Sequence, residues 1–376
     1  MLDIKFDLPH FTLAAAQQLA RNLYHLSGSL HALPSERDQN FYLQTESGDQ
    51  YVLKIANPAE PFESLDLQNQ TLARLAATAP HLSLPRVVAS VSGLAITPIT
   101  NSAGQTNRVR LFTYVPGKLW AECNPHTPEL FRSLGEVLAT IDRGLEGFAH
   151  EAARRQLKWD LAQADWIQEY VQYLSDSSRR SLVERYLQHF DSELKPQLAR
   201  LRTSLIYNDA NDYNILVSPG DPRRRQVIGV IDFGDLVHTY TIAELAIACA
   251  YAVMGQPDPL TAAAQVVAGY HAIYPLTEPE LEVLFPLIRL RLCVSVTNSA
   301  YQQVVEPDNT YLNISEQPAG AVLDQLANIP ESFAHYTFRA ACVACLHPRP
   351  MPPLPTGSPP TPDRLAQSSN PISTRR

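Results

Sequence analysis

Three polar side chains at the ends of two short apolar runs are the residues of this chain best suited to chemistry. Asp209 and Asn214 are five residues apart in LIYNDANDYNILV, and Asp232 follows VIGVI and begins an Asp-Phe-Gly tripeptide. This arrangement suits phosphoryl transfer, in which an aspartate takes the proton of a hydroxyl and an amide oxygen binds Mg²⁺. The spacing therefore predicts Asp209 as the base and Asn214 and Asp232 as metal ligands, because Mg²⁺ prefers oxygen ligands.

The context of these residues carries most of the weight of that prediction. An Asp and an Asn five residues apart are expected about once by chance in a chain of this length, whereas an Asp-Phe-Gly tripeptide is expected in roughly a few per cent of such chains. Here the tripeptide ends a predicted strand shortly after the first loop. The alternative is that all three residues only cap strands, since Asp and Asn favour turns.

A lysine in the apolar run Tyr-Val-Leu-Lys-Ile supports the same chemistry. Lys54 occupies the fourth position of that run, where its ammonium group could reach nucleotide phosphates. A single lysine in a strand is more often a solvated edge residue. Together with the two acidic loops, however, Lys54 is predicted to bind phosphate.

The elements that must position these residues divide the chain into two parts. The first part, residues 1–115, has helical spacing at 13–26 and 65–76, a hairpin pattern at 41–55, and β-favouring runs at 87–91, 94–97 and 109–115. The second part is mostly helical, with predicted helices at 128–145, 159–174, 177–190, 242–253, 259–273 and 278–300. Only two short β-like runs, at 214–217 and 227–231, interrupt it. The sequence thus predicts an α+β protein whose chemistry lies at this interruption.

Composition narrows the class of partner. The chain has 376 residues, 45% of them apolar, and a formal net charge of -8. A negative protein of this kind is not expected to bind nucleic acid or an anionic membrane, and it favours a cationic partner. The five cysteines and the absence of a leader-like start predict a cytoplasmic protein. The proline-rich residues 347–376 predict a disordered tail.

Taken together, the motifs resemble the aminoglycoside phosphotransferase and choline kinase superfamily, a branch of the protein-kinase-like fold. Within it, the chain is most similar to hydroxylysine kinase and to the kinase domain of bacterial kinase–aminotransferase fusions. The resemblance covers roughly residues 10–345 and rests on the stretches LPSERDQNFYL, YVLKIAN, LDLQNQTLARL, VRLFTYVPG, RRQLKWDLAQA, LIYNDANDYNILV and VIDFGDLVHTYTIAELAIACAYA. It implies a two-lobed fold, with a small mixed N-terminal lobe containing an antiparallel sheet (1–115) and a larger, mostly helical C-terminal lobe (116–346).

The resemblance also implies the reaction. Lys54 corresponds to the phosphate-binding lysine, Asp209 to the catalytic base, and Asn214 and Asp232 to the metal ligands. It implies Mg²⁺, with GTP or ATP as the phosphoryl donor, and GTP is the donor in hydroxylysine kinases. The implied acceptor is a small cationic hydroxylated amine, first of all 5-hydroxylysine, and a functional link to a class III aminotransferase-type enzyme is expected.

The nucleotide-binding residues depart from the family pattern in two places. Position 207 is Tyr where most relatives have His, and the helix glutamate that usually pairs with the strand lysine is missing, with Asp66 and Gln68 near its place. Asp66 is the predicted ion partner of Lys54. The turn that covers the phosphates would use Ser35 and Arg37, and the stretch that meets the base would run from Phe112 to Tyr114.

The acceptor site is predicted from an aromatic ring and three acids. These residues are Trp159, Asp160, Asp235 and Glu244. An aromatic face with carboxylates suits an ammonium group, although each acid could equally be a helix cap or a solvated side chain. Other acceptors (homoserine, choline, ethanolamine or an aminoglycoside) stay open, and so does a catalytically inactive regulatory protein that binds nucleotide.

Overall fold

The computed structural model of the protein describes residues 9–35, 37–101, 104–305 and 316–346. The predicted disorder of residues 347–376 falls outside these ranges. What is described has an antiparallel sheet in its first third and a helical region after it, as the sequence predicts.

The N-terminal lobe is a sheet with one helix on each face. Its elements are α1 (Leu13–Tyr24), β1 (Gly28–Leu33), β2 (Gln39–Thr45), β3 (Gln50–Ala56), α2 (Phe62–Thr78), β4 (Val87–Val88), β5 (Thr97–Thr100) and β6 (Thr106–Thr113). The strand order is β1-β2-β3-β6-β4, with β5 also on β6, and all pairs are antiparallel. The predicted hairpin is β2–β3, whose turn contains Gly48 at φ 93°, a conformation that glycine adopts without strain.

Alternation along β3 and β6 separates an apolar face from a charged one. Leu53 and Val109 point to one face and pack in the cluster that contains α1. Lys54 and Arg110 lie opposite each other in the antiparallel register and point to the other face, where α2 lies. Successive side chains of a strand alternate between faces, so this register fixes Lys54 on the face of the sheet that carries α2.

The C-terminal lobe is built from helices around two small sheets. Its strands are β7 (Lys118–Leu119), β8 (Thr203–Ile206), β9 (Ile215–Val217), β10 (Val227–Val230) and β11 (Val237–Tyr240). Its α-helices are α3 (Pro128–Gly144), α4 (Ser177–His189), α5 (Lys195–Leu198), α6 (Ile242–Ala252), α7 (Pro259–Ile273), α8 (Glu278–Val305), α9 (Glu316–Ala327) and α10 (Glu331–Leu346). Because β9 pairs with β10 and β8 pairs with β11, the loops β8–β9 and β10–β11 lie side by side. These loops carry the predicted catalytic and metal residues.

Helix α8 is the long apolar helix at the centre of this lobe. By length and composition it could cross a membrane, but every residue of its most apolar 18-residue window is buried inside the protein. Helices α6, α9 and α10 pack around it. Its hydrophobicity is therefore that of a core helix.

Residues 159–174 do not form the predicted α-helix. This segment consists of 3₁₀ turns at Leu161–Glu169 and Val171–Tyr173, and Gln163 has non-helical backbone angles. The Asp160 side chain bonds the amide of Ala162 and the carbonyl of Asp160 accepts from Gln163, so the chain turns tightly from its start. The helical periodicity of the sequence did not distinguish these short turns from a continuous helix.

Two glycines set the close contact between α3 and α7, and this contact yields a stability prediction. A Cβ at Gly135 would lie 2.0 Å from the Val266 carbonyl oxygen, and one at Gly269 would lie 1.9 Å from that of Arg132. We expect Gly135→Ala to destabilise the protein by about 3 kcal/mol, because rigid helix backbone must move apart. Thermal and urea unfolding would measure the change.

Gly320→Ala is the matched control for that experiment. This glycine also lies in a helix, α9, but a Cβ there would meet only the guanidinium end of Arg179, at 2.7 Å. A flexible side-chain end can move aside, so this variant should be neutral or slightly stabilising. Equal unfolding midpoints for the two variants would contradict the proposed role of Gly135.

Candidate active site

The β8–β9 loop holds Asp209 between two asparagines. Asn211 Nδ2 donates to Asp209 Oδ1 at 2.8 Å, and Asn214 Nδ2 donates to Oδ2 at 2.6 Å. Both bonds use amide N–H groups, so the side-chain oxygen of Asn214 is left for another partner. Asp209 is half-buried, and its carboxylate is held in one orientation.

Neighbouring acids shape the proton affinity of Asp209. Burial, followed by the negative charges of Asp235 and Asp232, raises the pKa of Asp209 well above its ordinary value, while Arg291 and the Asn211 bond oppose the rise. A carboxylate with a raised pKa is a stronger base. This environment suits a group that takes a proton from a hydroxyl.

Asn208, the residue before Asp209, is held in place by the buried side chain of Glu244. Asn208 has φ 67°, an uncommon conformation that asparagine tolerates better than most residues, and it is fully buried. Its backbone N–H donates to Glu244 Oε2 at 2.7 Å. Glu244 is itself fully buried in α6, so it holds the β8–β9 loop through this bond. Its contact with an acceptor stays a prediction, which this burial disfavours.

Burial raises the pKa of Glu244 to about 7, and this gives a pH-dependent stability. The folded state holds this proton more tightly than the unfolded chain, so the contribution is fully present below the ordinary pKa of 4.5 and is lost as pH rises through about 7. We expect the wild type to lose about 3 kcal/mol of stability between pH 4.5 and 8 relative to Glu244→Gln. Urea unfolding at a series of pH values would measure this.

The control for the pH experiment is Glu282→Gln. Glu282 is an exposed glutamate of α8, so removing its carboxylate should leave the pH dependence of the wild type intact. If Glu244→Gln had the same pH dependence as the wild type and this control, Glu244 would not be the titrating group.

The β10–β11 loop presents Asp232 to solvent and to the N-terminal lobe. Asp232 has φ 58°, and its side chain is 46% exposed. Lys54 Nζ lies 3.5 Å from Asp232 Oδ2, so the sheet lysine and the loop aspartate meet as the motifs predict. The Lys54 ammonium first, then Arg37 and the Gly234 amide, lower the pKa of Asp232 and keep it ionised.

Tyr207 supports this loop from the end of β8. Its hydroxyl donates to the carbonyl oxygen of Ile231, the residue before Asp232, and its ring packs edge-on against Phe233 at 5.1 Å. A tyrosine hydroxyl can donate one hydrogen bond, and here that bond holds the backbone just before Asp232. Arg155, which no motif in the sequence singles out, adds a second support by donating to the carbonyl of Gly234 at 2.5 Å.

The oxygen atoms of Asn214 and Asp232 fit a hard divalent cation. The Ile231 amide donates to the Asn214 carbonyl at 2.9 Å, which joins the two loops directly. In the described parts of the chain, no three His, Cys, Asp or Glu side chains form a ready metal cage. Two protein oxygens suit Mg²⁺, which commonly binds one or two side chains and completes its shell with phosphates and water.

The predicted phosphate-covering turn places Arg37 against an acid. Arg37 Nη2 is 2.6 Å from Asp235 Oδ1, and Asp235 is buried. Asp235 is thus engaged with the N-terminal lobe, which differs from its predicted place beside an acceptor amine. Ser35 is exposed at the start of the same turn.

Asp66 is not the ion partner of Lys54. Its carboxylate accepts from Gln70 at 2.6 Å and lies 3.3 Å from His150 Nε2. The side chain therefore points from α2 toward residues 150–153, away from β3. The helix position that faces the sheet is Gln68, which is buried and bonds Arg110.

The predicted base-binding stretch is largely committed to the sheet. Phe112 is buried, and the amides of Thr113 and Tyr114 donate to the carbonyls of Arg86 and Gln50 at 2.9 Å each. These amides cannot also meet a nucleotide base. The carbonyl groups of this stretch are not affected by these bonds, so base binding through Phe112 to Tyr114 stays a prediction.

The remaining acceptor candidates also have partners within the protein. Asp160 accepts from the Ala162 amide at 3.0 Å and from Thr239 Oγ1 at 2.7 Å, so it acts as a cap. The Trp159 ring lies 4.8 Å from the Arg291 guanidinium, and Lys158 Nζ is 4.8 Å from the same ring. Both residues thus have partners within the protein, and their contact with an acceptor stays a prediction.

Comparison with known proteins agrees with this geometry. The model of the phosphotransferase enzyme family matches residues 29–282. Hydroxylysine kinase of Mus musculus is 31% identical over 338 residues, covering 85% of this chain and 90% of that protein. Hydroxylysine kinase of Xenopus laevis is 32% identical over 320 residues, covering 80% and 85%, and that of Danio rerio is 29% identical over 326 residues, covering 84% and 91%.

Solved structures show the same fold at lower identity. An amicoumacin kinase bound to AMP-PNP and Ca²⁺ has a TM-score of 0.62 and 17% identity, covering 86% of this chain and 94% of its own. A microcompartment-associated aminopropanol kinase has a TM-score of 0.55 and 18% identity, covering 89% and 97%. The chain therefore belongs to the phosphotransferase enzyme family, as a small-molecule kinase that acts on a hydroxyl group.

Proposed function

We propose that this kinase transfers the γ-phosphoryl group of GTP or ATP, with Mg²⁺, to the hydroxyl of an amine-bearing metabolite, first of all 5-hydroxylysine. The observation that carries the acceptor is the similarity to hydroxylysine kinases over most of both chains, at 29–32% identity. The pairing of Lys54 with Asp232 next to the Asp209 loop supports the reaction. Residues 1–115 would form the nucleotide-binding lobe and residues 116–346 the catalytic lobe.

In this proposal the protein orients the reactants and neutralises charge. Asp209, fixed by Asn211 and Asn214, accepts the hydroxyl proton as the oxygen attacks the γ-phosphorus. The bond between the γ-phosphorus and the β–γ bridging oxygen breaks, and the nucleoside diphosphate leaves. Asn214 and Asp232 would hold Mg²⁺, which supplies positive charge to the phosphate oxygens when it is bound. Lys54 would bind the α- and β-phosphates, and Arg37 would cover them from the turn between β1 and β2.

The nucleotide and the acceptor amine are the expected partners. The similar solved structures contain AMP-PNP, ADP or GDP in their own sites. The proposed contacts hold the donor mainly through its phosphates, so the site is compatible with either ATP or GTP. The net charge of -8 favours an acceptor that carries a positive charge.

One alternative is a nucleotide-binding regulatory protein without turnover. Two departures from the family pattern motivate this alternative, namely Tyr207 and the missing glutamate in α2. The simultaneous presence of Lys54, Asp209, Asn214 and Asp232 argues for turnover, because an inactive site has no need of the complete set.

The test is an initial-rate assay of nucleoside diphosphate release with Mg²⁺. ATP and GTP are each combined with hydroxylysine, homoserine, choline, ethanolamine and kanamycin. We expect turnover with hydroxylysine that exceeds the other acceptors by at least about 100-fold in kcat/KM. A different preferred acceptor would replace hydroxylysine within the same reaction, and nucleotide binding without turnover on any acceptor would favour the regulatory alternative.

A further inference from the structure

The lysine of β3 has no acidic partner from the helix that faces it. Among the residues that the structure describes, Lys54 has one ion pair, with Asp232, and no carboxylate of α2 lies within 4.0 Å of its ammonium. Asp66 points away, toward His150. The position of α2 against the sheet must therefore be set by another contact.

That contact is made by Arg110, the residue opposite Lys54 on β6. Arg110 is 1% exposed, and its Nη1 donates to Gln68 Oε1 at 2.9 Å, to Asn69 Oδ1 at 3.4 Å and to the Leu65 carbonyl at 3.5 Å. All three acceptors belong to α2. The Arg110 guanidinium thus connects β6 to about one turn of α2.

Burial of the charged Arg110 side chain costs free energy of folding, so its retention calls for a function. No carboxylate among the described residues lies within 4.0 Å of this guanidinium, and its Nε has no hydrogen-bond partner. Burial lowers the pKa of Arg110, although Asp38 and Asp232 partly offset the effect from a longer distance. Burying a charge against neutral acceptors alone is unfavourable, so a leucine or methionine here would pack at lower cost.

The arrangement has a direct effect on Lys54. Cross-strand neighbours on one face have Cβ atoms about 4.5–5.5 Å apart, so the Arg110 side chain begins beside that of Lys54 on the α2 side of the sheet. Because Arg110 occupies the oxygen acceptors of α2, Lys54 is left with the carboxylate across the cleft, that of Asp232. The ammonium is then held where a nucleotide phosphate would meet it.

We propose that Arg110 is a positioning residue for phosphoryl transfer, which docks α2 through Gln68 and Asn69 and thereby directs Lys54 into the nucleotide cleft. This inference rests on the proposed nucleotide-dependent reaction. In this chain, the contact of Arg110 with the neutral side chains of Gln68 and Asn69 would take over the role of an ion pair between the strand lysine and a helix carboxylate.

The test compares Arg110→Met and Gln68→Ala with Arg108→Met. Arg108 is the next residue of β6 on the same face, and its Nη1 donates to the Glu60 carbonyl at 3.0 Å. For Arg110→Met we expect nucleotide binding, measured by calorimetry, to weaken roughly 10- to 100-fold, with a parallel rise in nucleotide KM and an unchanged acceptor KM. Arg108→Met should bind nucleotide like the wild type.

A second-site change separates positioning from simple stability. Combining Arg110→Met with Gln68→Glu places a carboxylate where it can pair with Lys54, and should recover at least about tenfold in nucleotide affinity. Arg110→Lys should recover less, because the lysine side chain is shorter and its ammonium ends about one bond before the position of Nη1, which makes all three contacts. Thermal unfolding of each variant confirms that all are folded at the assay temperature.

The outcomes distinguish this inference from the proposed function. Nucleotide binding unchanged in Arg110→Met would overturn the inference alone, and so would equal losses in nucleotide and acceptor parameters without recovery in the double variant. A wild-type protein that binds no nucleotide would overturn both. A wild type that binds nucleotide but does not phosphorylate hydroxylysine would overturn the acceptor and leave Arg110 to be decided by the binding data.

Discussion

Replacing Asp209 by Asn lowers turnover by about three orders of magnitude or more and changes nucleotide affinity no more than a few-fold. The expected loss follows from the role of a positioned base, whose contribution is about 10²–10⁴-fold. An amide in this place also turns its NH₂ group toward the N–H donors of Asn211 or Asn214, so one of the two hydrogen bonds is lost. Steady-state kinetics and nucleotide calorimetry measure both effects.

The control for this variant is Asp221→Asn. Asp221 lies in the exposed connection between β9 and β10, where it caps the amide of Arg223 at 3.0 Å. The same chemical change there should leave turnover within twofold. Turnover of Asp209→Asn within tenfold of the wild type would show that another group takes the proton, or that the proton leaves without a base.

The second large effect is expected for Asp232→Asn. We expect kcat/KM for the nucleotide to fall by about 10²–10³-fold, and the Mg²⁺ concentration for half-maximal rate to rise at least about tenfold. The reason is the loss of an ionised and 46% exposed carboxylate, together with the loss of the ion partner of Lys54. A Mg²⁺ titration at saturating nucleotide separates the metal effect from the nucleotide effect.

Asp49→Asn serves as the control for the metal titration. Asp49 accepts a hydrogen bond from Ser47 at 2.7 Å in the β2–β3 turn and belongs to no proposed site. Its Mg²⁺ dependence should match that of the wild type. An unchanged Mg²⁺ requirement in Asp232→Asn would remove Asp232 from the proposed metal ligands.

The fold was predictable where local pattern and tertiary structure agree. The β2–β3 hairpin alternates apolar and polar residues around a glycine turn, and the long helices repeat their apolar residues at helical spacing. The prediction failed at 159–174, because the apolar residues there pack as separate short turns stabilised by the Asp160 cap. Only the contacts of Asp160 with the rest of the lobe reveal that difference.

The sequence predicted the loop residues of the candidate site, but not the partners of the acids around them. Lys54, Asp209, Asn214 and Asp232 belong to short motifs, and the strand pairing brings them together. The acids at 160, 235 and 244 looked equally available in the sequence, yet each already has a partner within the protein. Partner identity depends on residues distant in the chain, such as the 198 positions that separate Arg37 from Asp235.

In the proposed reaction, the two charge pairs between the lobes would make nucleotide binding an ion exchange. Lys54 pairs with Asp232 and Arg37 pairs with Asp235, so these two cations of the N-terminal lobe already have counter-anions in the C-terminal lobe. A simple anion such as sulfate would bind Lys54 or Arg37 only by breaking its ion pair, and the negative charge of the aspartate would then have no counter-ion. A nucleotide that arrives with its metal brings phosphates for Lys54 and a cation for Asp232, so both partners are replaced at once. The cleft would therefore select chelated nucleotide over free anions before any base contact is made.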